Sequence, residues 1–374
     1  MKWSVDFKEL SKFKQIEIVR ETKEPEILLE AIRTSKNLET LVEASKNHIT
    51  NIMMLYTILL NIDNGKKQNE FAKDIFYRLE QKGKIFTEVD YKKLSVSENN
   101  FVINFVTEHT REPEILKALL EQAIEKSKPR NILKIINRKE YIPEKETLGR
   151  VIDTFFLKEE FYNNIIRDDI KIMLLEVAME ELHITALRYL LELEFKIPYD
   201  LQKKLITFDN YAQIRQKMAE ICTNSDILNI GLEYELEHNC ISVIMSILNN
   251  KNRVLEEKNE KKLGKHKECT IRSKVAEISK RANLLSEQLD YELEKKWNSH
   301  VLIEILRNPM TALSISQIIE ISRTSDFLNA LALRKVKSRE ELIQILRITD
   351  SRILTREVIK HPLFKLNLEE MQEF

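Results

Sequence analysis

The sequence predicts an all-α protein: an α-solenoid of short stacked helical repeats with one charged insertion. Three observations lead there. Glycine occurs five times in 374 residues, against a usual frequency of about 7%, and glycine supplies the positive φ that hairpins, phosphate loops and strand bulges need. The phrase "TKEPEILLEAI" (22–32) returns as "TREPEILKALL" (110–120), with the prolines 88 residues apart. Near the C-terminus a helix-break-helix grammar recurs at a shorter interval, from Leu306 to Leu333 to Ile359, offsets of 27 and 26.

From the N-terminus, Trp3, Phe7, Leu10 and Phe13 form an apolar stripe at helical spacing, expected as a capping helix for the array. In the repeated phrase, proline lacks an N–H and fixes φ near −65°, which suits a first helical turn. The residue before it is pushed out of helical geometry. Glu24 and Glu112 therefore lie outside, Pro25 and Pro113 begin helices, and Glu26 and Glu114 meet the positive end of the helix dipole. "IVRETKEP" and "LVEASKNH" align at an offset of 23, a further step of similar size. The apolar run Asn51 to Ile62 reaches about 18 Å as a helix, short of the roughly 30 Å of a bilayer core.

Ile170, Met173, Leu174, Val177 and Ala178 share one helical face, with Asp168 expected just before a helix starting near Asp169. Between about 125 and 250 the letters show helix and no countable unit. At the C-terminus, Ser314 with Gln317 and Ser338 with Glu341 are capping boxes that place helix starts. The third unit, with Val358, Ile359, Pro362, Leu366 and Leu368, has no serine in that place. The division is 1–124 and 125–250 helical, 251–299 a basic loop and amphipathic helix, and 300–374 helical repeats.

The stretch "LRNPMTALSISQIIEIS", followed by "LRKVKSREELIQIL" and "IKHPLF", resembles the leucine-rich repeat variant family. The resemblance covers about 301–364, with weaker echoes before Leu60 and around Thr110. It implies a right-handed solenoid of alternating α and 3₁₀ helices, HEAT-like in style, that works by interaction and carries no catalytic residues. Some members hold an iron–sulfur cluster; no matching cysteine cluster stands here.

The basic segment breaks the pattern. Between Lys251 and Arg281, eleven Lys or Arg face five Glu, a local excess of six in a chain whose 60 basic and 60 acidic residues cancel. "EEKNEKKLGKHKE" reads as a solvated loop. Val275, Ile278, Ala282, Leu285 and Leu289 then space as two heptads, an amphipathic helix docked on its own array or offered to a partner. Lys258, Lys261, Lys262, Lys265, Lys267, Arg272 and Lys274 are the candidate electrostatic contacts, for nucleic-acid phosphates or an acidic protein. No aromatic interleaves them from Lys258 to Lys274, which argues against stacking on single-stranded bases.

Motifs for chemistry are missing. Cys222, Cys240 and Cys269, with His238 and His266, lack the paired spacing of a zinc site. Three dispersed cysteines suggest a reducing, cytoplasmic setting, and "MKWSVDFKEL" lacks the apolar run of a signal peptide. No Gly-x-Ser-x-Gly elbow or Gly-Lys phosphate loop occurs. Arg167–Asp168–Asp169 places neighbouring carboxylates about 100° apart on a helix, unsuited to acid–base pairing. The reading is a non-enzymatic helical-repeat scaffold for protein–protein interaction, without cofactor, metal or membrane. Nucleic-acid binding through the basic insertion is the alternative.

Overall fold

A computed structural model of the chain describes residues 7–155, 162–209, 211–296, 298–323 and 326–364. Among these are twenty-four α-helices and no strand. The chain forms two compact units, Met1–Lys196 and Ile197–Phe374. Within each, a helix packs on its sequence neighbour and on the helix two places along, so successive helical hairpins stack in two rows.

The helices start where local chemistry dictates. Pro25 and Pro113 occupy the first turns of Pro25–Thr34 and Pro113–Glu125, with Glu24 and Glu112 as extended caps. Ser314 and Gln317 form a reciprocal capping box at Ile315–Ser322. Ser338 caps Arg339–Ile348. Asp168 is the first residue of Asp168–Glu180, after Arg167 as cap. The expected N-terminal stripe does not form a buried face. Trp3 lies outside the described residues, Phe7–Glu9 is a single 3₁₀ turn, and Phe13 is 78% exposed. Ser11 caps a fresh helix at Lys12 and so resets the phase of the stripe. Leu366 and Leu368 also lie outside the described residues.

A recurrent burial pattern explains the stacking. In Leu38–Lys46, Ile52–Asn61, Ile184–Glu192, Ile241–Asn249 and Ser299–Arg307 the buried positions run i, i+1, i+4, i+5. That is two adjacent stripes, a face wide enough for two neighbours. One short helix cannot satisfy such a face alone, so stability comes from the stack.

A second device ties each step to the one before. A helix C-terminus leaves carbonyls without partners. Asn47, the C-cap of Leu38–Lys46, donates its amide to Val19 O (2.9 Å) and Thr22 O (3.0 Å) of the preceding helix in that row. Asn250 does the same to Ala219 O (2.7 Å) and Cys222 O (2.8 Å), and Asn308 to Ala276 O (2.8 Å) and Ser279 O (2.9 Å). Arg78 on Ser45 O, Arg138 on Thr107 O and Thr110 O, and Arg167 on Ile136 O serve the same purpose in the first unit. Replacing Asn308 with Ala orphans two buried carbonyls. The expected loss is about 2 kcal/mol in urea unfolding, from net hydrogen-bond values of about 1 kcal/mol each.

The second unit contains a longer period. Ala212–Ile221 and Cys269–Ile278 read "IRQKMAEI" and "IRSKVAEI" from Ile214 and Ile271, 57 residues apart, and "YELE" recurs from Tyr234 to Tyr291 at the same offset. Helix starts follow suit: Tyr199, Glu257 and Ile315 at steps of 58; Ala212, Cys269 and Asp326, and Ser225, Ala282 and Arg339, at steps of 57. The unit's described residues form three four-helix repeats. After Tyr291 the offset to the first copy grows by one residue, and there the second copy has a π-helical turn, Glu292–Lys296. A π turn spans i to i+5, so it takes in one extra residue without breaking the helix.

Three inter-helix turns of the first unit are closed by Schellman motifs. Lys84 N donates to Leu79 O, Lys128 N to Ala123 O and His183 N to Ala178 O, each at 2.9 Å. The residue before each donor is left-handed: Gly83, Ser127 and Leu182, at φ 78°, 48° and 59°. Leucine in that region costs about 1 kcal/mol, and the Leu182 side chain is 55% exposed. Leu182→Gly is therefore expected to raise unfolding free energy by up to about 1 kcal/mol, measured by denaturant titration.

Candidate interaction surface

The segment expected as a solvated loop is helical. The basic segment 251–281 contains the whole of Glu257–Gly264, within that stretch, and of Cys269–Ile278 after it; these helices open the second four-helix repeat, so the segment is no insertion. The average composition hid a stripe: Asn259, Glu260, Leu263 and Gly264 face inward, as do Ile271, Arg272, Val275 and Ala276. Charged residues on that stripe are tolerated because each has a partner, as buried charge requires. Glu260 accepts from Ser279 Oγ and Arg281 Nη1, and Arg272 pairs with Glu292. The heptad seam also divides: Cys269–Ile278 ends before Ser279, a new helix begins at Ala282, and Ala282 is exposed.

Of the seven candidate contacts, Arg272 is a correction. It is 2% exposed. Its guanidinium lies against Glu292, donates to His266 O (2.7 Å) and Lys267 O (3.0 Å), and stands 5.9 Å from the Tyr291 ring. No phosphate reaches it. Arg215 repeats the arrangement 57 residues earlier, with Glu235 (2.5 Å), Phe208 O (2.9 Å) and the Tyr234 ring (5.2 Å). The signal that reveals both is the duplicated "IR…KxAEI" and "YELE" in the sequence.

Of the remaining six, Lys274 is half-buried and the other five are exposed, and four of the six are committed to carboxylates. Lys258 meets Glu233 at 2.5 Å and Glu256 at 3.3 Å. Lys261 and Lys265 share Glu287 at 2.9 and 3.7 Å, and Lys274 meets Glu277 at 2.9 Å within its own helix. The pairing holds the Glu233 and Glu287 carboxyls below the usual glutamate range and lifts the Lys258 ammonium. Lys262 and Lys267 are exposed, with no ion pair to them among the described residues. Glu233, Glu287 and Glu292, all outside 251–281, thus offset part of the local basic excess in space. That is why counting along the sequence overstated it.

His266 is held in one tautomer. Its Nδ1 accepts from Glu268 N (3.1 Å), so Nε2 bears the proton, 3.0 Å from Asn239 Oδ1. Burial pushes its pKa down. A cleft among Lys261, Lys265, Glu287 and Gln288 has room for little more than a water molecule. Among the described residues no group of three His, Cys, Asp or Glu is placed to hold a metal, and no helix is long and apolar enough to cross a membrane. No protein-family model, curated protein or solved structure matches the chain.

Proposed function

We propose that the chain is a non-enzymatic helical-repeat scaffold that binds a protein partner along its helix rows. The observation that carries this reading is the stacked hairpin pattern with its 57-residue recurrence, which sets side chains of successive helices side by side at regular intervals. Such rows offer an extended surface without needing a pocket. Two α-helices per step favour the HEAT-like side of the resemblance over an alternation of α and 3₁₀ helices.

Mixed charge supports a protein partner over a polyanion. Phosphate binding draws on cations free to replace counterions, and Lys258, Lys261, Lys265 and Lys274 already face carboxylates. Photo-crosslinking residues placed at exposed positions of successive helices in one row test the reading in cells. The expected result is adducts to one protein from several consecutive helices. Adducts to nucleic acid would overturn it. So would a low-salt gel shift with RNA or DNA that is abolished by Lys262→Glu with Lys267→Glu.

A further inference from the structure

The two buried stripes on a row helix have different neighbours, and the ends of the stack reveal which is which. In Ile241–Asn249 the pairs are Val243/Ile247 and Ile244/Leu248, and in Ser299–Arg307 they are Val301/Ile305 and Leu302/Leu306; all eight are buried. Arg352–Ile359 occupies the same place in the third repeat. There the first pair, Leu354/Val358, remains fully buried, while the second pair, Thr355/Ile359, opens to solvent. Ile359 is 55% exposed, where its counterparts Leu306 and Leu248 are 2% and 0%. In Lys12–Glu21, first in its row, the opposite holds. Gln15 and Val19 are buried under the following helix while Lys14 and Ile18 are not. The first stripe therefore faces the step before and the second faces the step after.

The geometry points to the Thr355/Ile359 stripe as an open repeat-to-repeat interface that receives an amphipathic helix from a protein partner. The inference rests on the scaffold reading only in taking the occupant to be a protein. Continuity with the interfaces below it specifies the occupant's chemistry. One step earlier, Asp326–Leu333 packs in the same apolar cluster as Leu302 and Leu306, through Leu328 and Ala332. Lys335, just beyond that helix, donates to Asn308 O at 2.6 Å. One step before that, Asn308 performs the same task. The matching ligand is a helix of two to three turns with a narrow aliphatic stripe. It ends in Asn or Lys, which caps the carbonyls at the end of Arg352–Ile359.

The probe is a stapled peptide of residues 326–337, "DFLNALALRKVK", the segment that fills the equivalent place one step earlier. Stapling removes the nucleation cost that makes a free peptide of this length marginal. The expected result with the full chain is saturable binding by fluorescence anisotropy, weakened at least about tenfold by Ile359→Glu or by Leu328→Glu in the peptide, a loss of about 1.4 kcal/mol or more. Because Ile359 is more than half exposed, the variant should keep its melting temperature, which serves as the folding control. Absence of saturable binding overturns the inference, as does binding unchanged by Ile359→Glu. Binding that emerges only after deletion of 365–374 assigns the stripe to this chain's own tail and overturns it too. None of these outcomes touches the crosslinks along the helix rows, so the two readings fail separately.

Discussion

Gly231→Gln is expected to destabilise the second unit by several kcal/mol, and combining it with Ile206→Gly is expected to cost less than the two single changes summed. A Cβ at Gly231 overlaps Ile206 Cγ1 and sits 3.2 Å from Ile206 Cδ1 and 3.5 Å from Ile247 Cδ1. Overpacking of this kind costs about 1–3 kcal/mol for small additions, and a whole glutamine adds more. The second repeat has already made the exchange. Where the first repeat has Ile206 and Gly231, the second has Gly264 and Gln288. A Cβ at Gly264 would meet only the Gln288 side chain, at 3.6 Å or more. The buried Gln288 amide donates to Arg272 O at 2.7 Å, and Arg215 O is the corresponding acceptor in the first repeat. Ile206→Gly alone leaves a cavity and costs about 2–5 kcal/mol on the scale of large-to-small changes. The double variant should therefore lie well above the sum of the single ones, with a coupling of about 1–3 kcal/mol in denaturant unfolding. Additive losses would show that the two repeats do not share a packing solution.

The second large effect is expected at the buried ion pairs. Arg272→Ala leaves the Glu292 carboxylate, 0% exposed, without its counterion, and leaves His266 O and Lys267 O without their donor. Breaking such a pair costs about 3–5 kcal/mol. Arg215→Ala should behave alike through Glu235. Lys261→Ala, at an exposed pair, should stay within about 0.5 kcal/mol. Removing both partners is a different matter. The third repeat has Asn329 in the place of Arg272 and Thr349 in the place of Glu292, so the fold tolerates the site without the charges. Arg272→Met with Glu292→Leu is accordingly expected near neutral, because desolvating two charges offsets much of their attraction. Urea midpoints of the four variants check the ordering. A double variant as damaged as Arg272→Ala would overturn it.

Local grammar was legible in the sequence. Pro25, Pro113, Ser314 and Ser338 start helices because each satisfies orphan N–H groups or removes one, and such chemistry acts over three or four residues. The basic segment was misread because its meaning is tertiary. Arg272 and Glu260 are charged by letter and buried by position, through partners 20 and 21 residues away. The 57-residue recurrence was present in the letters. It is twice the hairpin step, and a search tuned to steps of 23 to 27 residues passes over it. The Asn spine was hidden for another reason: Asn47, Asn250 and Asn308 look like ordinary helix stops, and their acceptors lie about thirty residues upstream.

That spine has a direction. Each of these three asparagines comes from later in the chain than the helix end it finishes, 28 residues on for Asn47 and Val19, 31 for Asn250 and Ala219, and 32 for Asn308 and Ala276. On a polypeptide leaving the ribosome N-terminus first, a helix terminus of this kind is therefore open to water when it emerges. It is sealed only when about thirty more residues have emerged. Synthesis and consolidation then advance in lockstep, a fixed distance apart, and a translational pause within that window would hold the newest step unsealed.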